Sequence, residues 1–185
     1  GQGLHEILGR IIVELTRRRG MEVAGAKLGA EIFSTRGYTL VDERERGTVD
    51  TPAGVRRSVL DLSLERELGK RARAFFRGSL FGEARTNGTP LQINRTHTRL
   101  LSVGLDWQTE SAGAVTFRAY GGTQVYDQTF SAVSADRNSE ALTRLQRSPS
   151  QFKGLSIQWS RAIGRRQTLV AGLEAQQVRG ASNEI

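Results

Sequence analysis

Apolar and polar residues alternate along most of this chain, and no other feature restricts its fold as strongly. One stretch within residues 100–124 carries apolar residues at every second position: Leu101, Val103, Leu105 and Trp107. Side chains two positions apart lie on the same face of a β-strand, so each such stretch has one apolar and one polar face. Helical spacing is rare. The alternation therefore predicts an all-β fold.

About eight strands are predicted, and the lengths of their connections alternate. The predicted strands are Ile11–Arg17, Met21–Ser34, Arg57–Glu65, Arg71–Arg85, the two strands of the 100–124 hairpin, Phe152–Ser160 and Gln167–Gln176. Short connections are expected near Arg18–Gly20, Arg66–Lys70, Gln108–Gly113 and Ile163–Arg166, and long ones at Arg36–Val55, Thr86–Thr96 and Asp127–Ser150. In an antiparallel up-and-down meander, this places all short turns at one end. Outer-membrane barrels have this layout.

The composition of the apolar faces favours contact with lipid over a packed soluble core. These faces are rich in Ala and Leu, whereas a packed core needs interdigitating bulk. Trp107 and Trp159 each precede a short turn on the apolar face, as the aromatic girdle of a membrane barrel requires. The two tryptophans are therefore candidate membrane-interface residues. The alternative is a soluble sandwich in which both are core residues at strand ends.

The polar faces carry charges of both signs, which would line a wide and wet lumen. The residues concerned are Arg71, Arg73, Arg77, Glu83, Arg85, Arg118, Asp61, Glu65 and Glu174. A small filled barrel holds such charges only if they pair with one another. A larger lumen holds them more easily.

The chain is basic, with 27 Lys and Arg against 19 Asp and Glu and a net charge of +8. This raises the question of nucleic acid, but the basic residues are dispersed and no nucleic-acid partner is expected. No cysteine is present, so disulfides and thiolate metal sites are excluded. No apolar run reaches the roughly 20 residues of a transmembrane helix, and no signal peptide is recognisable. Both ends look cut, and the sequence is interpreted as a fragment.

Catalytic and metal-binding patterns are missing. His5 and His97 are the only histidines and lie far apart in the sequence. Phosphate-binding and dinucleotide-binding glycine motifs are absent. The carboxylates of the 41–47 segment alternate with arginines, which is typical of a solvated loop rather than a calcium site. We therefore expect no enzyme activity, no metal and no cofactor.

Three segments resemble the barrel of TonB-dependent outer-membrane receptors. The first, "EIFSTRGYTLVDERERGTVDTPAG", has the family's "GY" strand end and its "RG.VD.PA" loop at Gly37, Tyr38, Arg46, Gly47, Val49, Asp50, Pro52 and Ala53. The second, "RARAFFRGSLFGEARTNGTPLQINRTHTRLLSVGLDW", is similar to the following hairpin, and "AYGGTQVYDQTFSAVSADRNSEALTRLQRSPSQ" is similar to the next strand and outer loop. The resemblance covers about residues 28 to 182, and residues 1–20 match poorly.

The resemblance implies a segment of a large transmembrane barrel, with residues 1–185 forming part of its wall. The family has about 22 strands and a lumen plugged by an N-terminal domain. It imports scarce large nutrients such as iron chelates, cobalamin or oligosaccharides across the bacterial outer membrane. TonB supplies the energy through a box near the N-terminus of the plug. This sequence contains neither plug nor box, so contact with the TonB complex would require that missing region.

Four residues are candidates for contact with an extracellular nutrient near the outer mouth: Arg77, Arg85, Tyr126 and Phe130. They offer charge-assisted hydrogen bonds and stacking to an anionic or sugar-like ligand. Two alternatives stay open. One is a complete eight-strand outer-membrane barrel with an adhesive or structural role. The other is a soluble basic β domain that binds nucleic acid, which would need aromatic residues exposed on a basic face.

Overall fold

The computed structural model describes residues 6–19, 22–164 and 166–185, and strands make up most of it. The strands are β1 (Glu6–Arg19), β2 (Glu22–Tyr38), β3 (Ala53–Leu68), β4 (Ala72–Thr86), β5 (Ile93–Thr109), β6 (Gly113–Val133), β7 (Glu140–Ile163), β8 (Gln167–Gly180) and β9 (Asn183–Glu184). A short 3-10 helix, Glu43–Glu45, lies between β2 and β3. No helix in these described ranges is long and apolar enough to cross a membrane.

The strands form one antiparallel sheet in which β1 to β8 neighbour one another in chain order. This confirms the predicted all-β, up-and-down meander of eight strands. The sheet does not close on itself. β9 pairs with β7 beyond the end of β8, at Gln146↔Glu184 and Arg147↔Asn183, and so continues that side of the sheet.

Long and short connections alternate as predicted, although the strands extend further towards the long loops. The described short turns are residues 69–71 and 110–112, together with residues 164 and 166 of a third turn. The long connections are residues 39–52, 87–92 and 134–139. The predicted long loop Asp127–Ser150 is wrong, because β6 and β7 continue through most of it. The predicted connection near Arg18–Gly20 lies partly outside the described residues, which do not include residues 20–21. His5 also lies outside the described residues.

The register assigns every strand one apolar and one polar face. One cross-strand row on the apolar side contains Leu64, Phe76, Val103, Ala119 and Leu155. Within the described residues, no hydrophobic side chain is buried. Leu60, Leu62 and Leu101 stay 41%, 37% and 51% exposed. The described residues therefore form a single-layer sheet, and none of them packs as a second layer against its apolar face.

The apolar face forms a band that crosses the strands obliquely. On β8 the last apolar residue towards the long loops is Ala175, whose row reaches β1 at Leu15. On β1 the apolar residues continue to Ile7, eight positions further along. This shift of the border over seven strand-to-strand steps means that the strands are tilted by roughly 38° from the normal to the band. The value uses about 3.3 Å per residue and 4.8 Å between strands.

Candidate functional site

Ion pairs cover the part of the polar face that lies towards the short turns. Asp106 accepts hydrogen bonds from Arg118 at 2.7 Å, Arg73 at 3.1 Å and the Thr116 hydroxyl at 3.1 Å. Glu65 lies 3.4 Å from Arg77 and 3.9 Å from Arg73. Two carboxylates and three guanidinium groups therefore form a continuous network across β3 to β6.

Two aromatic rings on this face lie flat over glycines of the next strand. Phe75 covers Gly104, and a Cβ added at Gly104 would overlap the ring. Tyr120 covers Gly154 in the same way. The guanidinium groups of Arg77 and Arg118 lie 4.9 and 4.6 Å from the centroid of the Phe75 ring. Glycine is needed at these positions because the ring occupies the space of a side chain, and the rings hold the network in place.

A second polar cluster lies towards the long loops and includes two of the predicted ligand-contacting residues. Arg85 donates hydrogen bonds to Glu83 at 2.6 and 3.0 Å. The Tyr126 hydroxyl accepts a hydrogen bond from Asn94 at 2.9 Å and donates one to Gln128 at 3.0 Å. The register places Glu83, Thr96 and Tyr126 in one row, so the two hydrogen-bonded groups are neighbours.

The other two predicted ligand-contacting residues lie apart from this cluster. Phe130 is four residues beyond Tyr126 on β6, and the Arg144 guanidinium lies 3.9 Å from its ring centroid. Arg144 also lies 3.5 Å from Glu184. Arg77 is eight residues from Arg85 on β4, which is roughly 26 Å along an extended strand. The structure thus brings Arg85 and Tyr126 together, whereas Arg77 belongs to the ion-pair network of β3 to β6.

The long connections are joined to one another at their end of the sheet. Arg137 has a left-handed backbone with φ 55° and donates to both carboxylate oxygens of Asp50, at 2.5 to 3.0 Å. The Asp50 side chain is 1% exposed. Hydrogen bonds from Arg137 lower the pKa of Asp50 from 3.8 to about 2, against the opposing effect of burial. The backbone of Gly47 also approaches Arg137 too closely for a Cβ.

Glu140 joins the middle connection to the base of the 134–139 turn. Its carboxylate accepts hydrogen bonds from the hydroxyls of Thr89 and Ser131, both at 2.5 Å, and from the Leu91 amide at 3.1 Å. Burial raises the pKa of Glu140, but these hydrogen bonds outweigh it and the pKa lies below its ordinary value. Thr51 donates its amide hydrogen to the Gly88 carbonyl at 2.9 Å. The three connections therefore form one structure, here called the loop cluster (residues 39–52, 87–92 and 134–140).

The two tryptophans occupy the same row of the opposite, apolar face. Val115 pairs with Trp107 on one side and with Trp159 on the other. The Trp159 indole N–H donates to the Ala112 carbonyl in the adjacent short turn at 2.6 Å. Trp107 is 49% exposed. The aromatic row thus borders the apolar band at the short-turn end of the sheet, and its contact with a membrane interface stays a prediction.

The pairs that build the loop cluster were not predicted from the sequence. Asp50 and Glu140 each stand in polar segments that read as ordinary solvated loops, and Arg137 is 87 positions from Asp50. Both Gly47 and Asp50 belong to the "RG.VD.PA" pattern of the resemblance, which carried no prediction of this pairing. Over the part of the chain that the structure describes, no group of three or more metal-ligating residues is present.

A scan against family models finds no match, and searches of curated proteins and of solved structures find no relative of the chain. The two faces of the sheet and the loop cluster are the features that bear on function.

Proposed function

We propose that this chain is part of the wall of an outer-membrane transport barrel that takes up a scarce large nutrient. In this proposal the apolar face contacts lipid and the polar face lines the lumen. The loop cluster lies on the extracellular side, and the short turns lie on the periplasmic side. No catalysis is assigned to the chain.

The oblique apolar band carries the proposal. An apolar face of this size is unfavourable in water at about 25 cal/mol per Å², and the described residues provide no layer to cover it. The tilt of roughly 38° derived above from strand spacing falls within the 35–45° of transmembrane barrels. The aromatic row at its short-turn border matches the interface girdle of such barrels.

The polar face supports a lumen rather than a nucleic-acid surface. Arg73, Arg77 and Arg118 contact carboxylates of the same chain, so their charges are largely balanced before any polyanion arrives. Binding to a phosphate backbone requires basic groups that neutralise the phosphates and so release the counterions of the nucleic acid. A balanced face with charges of both signs is instead compatible with water and a polar solute.

The open sheet favours a large barrel over a complete eight-strand one. The sheet ends at β1 and β8 without closing, and unpaired strand edges are not tolerated in a bilayer. In this proposal, further strands continue the wall on both sides. The resemblance to TonB-dependent receptors supplies the class of cargo: an iron chelate, cobalamin or an oligosaccharide.

The location and orientation can be tested by cysteine labelling, because the chain contains no cysteine. Ala135→Cys lies in the loop cluster, and Ser111→Cys lies in a short turn. In intact cells, a membrane-impermeant maleimide should label Ala135→Cys alone, and Ser111→Cys should react only after the outer membrane is permeabilised. Equal labelling of both variants in intact cells, or recovery of both in the soluble fraction, would overturn the proposal.

The transport role needs a separate test. Cells lacking the protein should fail to grow when one nutrient of these three classes is the sole limiting source, and the wild-type gene should restore growth. Arg85→Gln, which removes the guanidinium from the loop-end polar cluster, should reduce uptake more than Arg36→Gln outside it. Normal growth of the deletion strain on all three classes would contradict a transport role.

A further inference from the structure

A groove crosses the apolar face from β3 to β8, with a volume of about 910 Å³. Gly78 and Gly121 lie in its middle, where the lack of side chains deepens it. Its apolar walls are formed by Leu60, Leu62, Phe76, Leu80, Leu101 and Val103. The groove is therefore an open depression with apolar side-chain walls, on the side of the sheet that we propose faces lipid.

Three cationic residues line the same groove on the side towards the long loops: Arg99, Lys153 and Arg179. All three are exposed, and within the described residues none forms an ion pair. Two carboxylates lie on this side of β4 to β8. Asp127 lies 3.7 Å from Arg147, and Glu140 is bonded to Thr89 and Ser131 in the loop cluster. The groove thus has a positive rim with no negative partner in the described part of the chain.

The positions of these cations match the far border of the apolar band. In the direction of the long loops, Arg99 is the next residue beyond the apolar Leu101 on the same face of β5. Lys153 is likewise the next residue beyond Leu155 on β7. Arg99 and Lys153 are eight and six residues from Trp107 and Trp159, or roughly 26 and 20 Å along the strands. At a strand tilt near 40°, these distances correspond to roughly 15–20 Å along the membrane normal. Both side chains are long enough to reach further, to the edge of an apolar band about 25 Å tall.

We propose that this groove binds a phosphorylated membrane lipid. An acyl chain lies against the apolar walls, and the phosphate oxygens accept hydrogen bonds from Arg99, Lys153 and Arg179. The charge of the rim identifies an anionic headgroup, because a zwitterionic one would bring its own positive charge against the three cations. This proposal rests on the proposed function, since it requires the apolar face to lie in a bilayer.

The lipid preference can be measured by electron spin resonance on the protein purified from its native membrane and reconstituted into phosphatidylcholine. Spin-labelled phosphatidic acid and spin-labelled phosphatidylcholine each report the fraction of label that the protein surface immobilises. The wild type should prefer phosphatidic acid. Arg99→Gln/Lys153→Gln should reduce that preference by roughly fivefold per cation removed, from about 1 kcal/mol for each basic residue near anionic lipid.

A matched control removes the same charge elsewhere. Arg161→Gln/Lys27→Gln neutralises one exposed residue at the short-turn border of the same face and one on the opposite face, and it should retain the wild-type preference. An equal loss in both double variants, or a wild type that immobilises both lipids equally, overturns the lipid site but not the membrane location. A wild type that immobilises neither label overturns the proposed function itself. Complete displacement of phosphatidic acid by inorganic phosphate would also overturn the lipid site.

Discussion

Arginines on the two faces of this sheet are in opposite electrostatic situations. On the polar face, Arg73 and Arg118 lie 3.1 and 2.7 Å from Asp106, and Phe75 separates Arg118 from Arg77. On the apolar face, Arg99 and Arg179 stand at the rim of a groove with no carboxylate partner among the described residues. The arginines of the polar-face network are therefore balanced within the described residues, whereas the cations at the rim of the groove are not.

A charge placed on each face should give the largest difference. Leu155 and Ser156 are adjacent on β7, and their side chains lie on opposite faces. Leu155→Arg places a cation in the apolar band and should cost about 2–4 kcal/mol near the bilayer midplane. Ser156→Arg faces Glu174 across the sheet and should cost far less. The free energy of unfolding in lipid, obtained by urea titration, measures both, and equal costs would mean that the faces are not distinct.

Steric effects at the polar-face glycines should be somewhat smaller. Gly104→Ala places a methyl group in the ring of Phe75 and 2.8 Å from Cδ of Arg118, and overpacking of this kind costs about 1–3 kcal/mol. Gly29→Ala on the same face meets its nearest atom, Cβ of Asp61, at 3.9 Å. The same urea titration should leave the Gly29 variant close to wild type. Tolerance of Gly104→Ala would show that the ring does not cover this glycine.

Removal of one charge from each face tests the electrostatic contrast directly. Asp106→Asn leaves Arg73 and Arg118 without their shared carboxylate and should cost about 1–2 kcal/mol, because hydrogen bonds to charged groups are the stronger ones. Arg99→Gln breaks no ion pair within the described residues, and its effect on the free energy of unfolding should stay within about 0.5 kcal/mol. A larger cost for Arg99→Gln than for Asp106→Asn would reverse the comparison.

Acid should loosen the loop cluster between about pH 4 and pH 2. The pKa of Asp50 is about 2 in the folded chain against 3.8 ordinarily. Its contribution is therefore fully present above about pH 4 and is lost as the pH falls towards 2. Hydrogen exchange at the Thr48 and Val49 amides, which are bonded to the 134–139 turn, should rise over this interval. Asp50→Asn should show the fast exchange already at neutral pH, whereas Asp42→Asn in the same connection should not.

The sequence predicted the sheet wherever one face is apolar, because alternation carries the signal there. It placed Trp107 and Trp159 on the same side and at the same end, and the register puts them in one row. It failed over residues 127–150, where both faces of the long hairpin are polar and nothing distinguishes a strand from a loop. Leu142 and Leu145 are separated there by charged and polar residues, so no period of two survives.

The candidate site was only partly predictable for a related reason. Arg85 and Tyr126 were chosen as residue types near the loop end, and strand register brought them together. Arg77 was chosen on the same grounds, but it stands in the middle of β4 because a one-dimensional pattern does not fix height in the sheet. The Asp50–Arg137 pair joins two connections 87 positions apart, and only the fold brings them into contact.

The most direct test of the central claim is a nitroxide scan along β5, one cysteine at a time from residue 99 to 107, with the protein in its native membrane. If the apolar face contacts lipid, odd-numbered positions should collide readily with oxygen, which concentrates in the bilayer. Even-numbered positions should collide with a water-soluble nickel chelate. Low accessibility of the odd positions to both reagents would mean that protein covers this face, and the lipid-facing account would then be wrong.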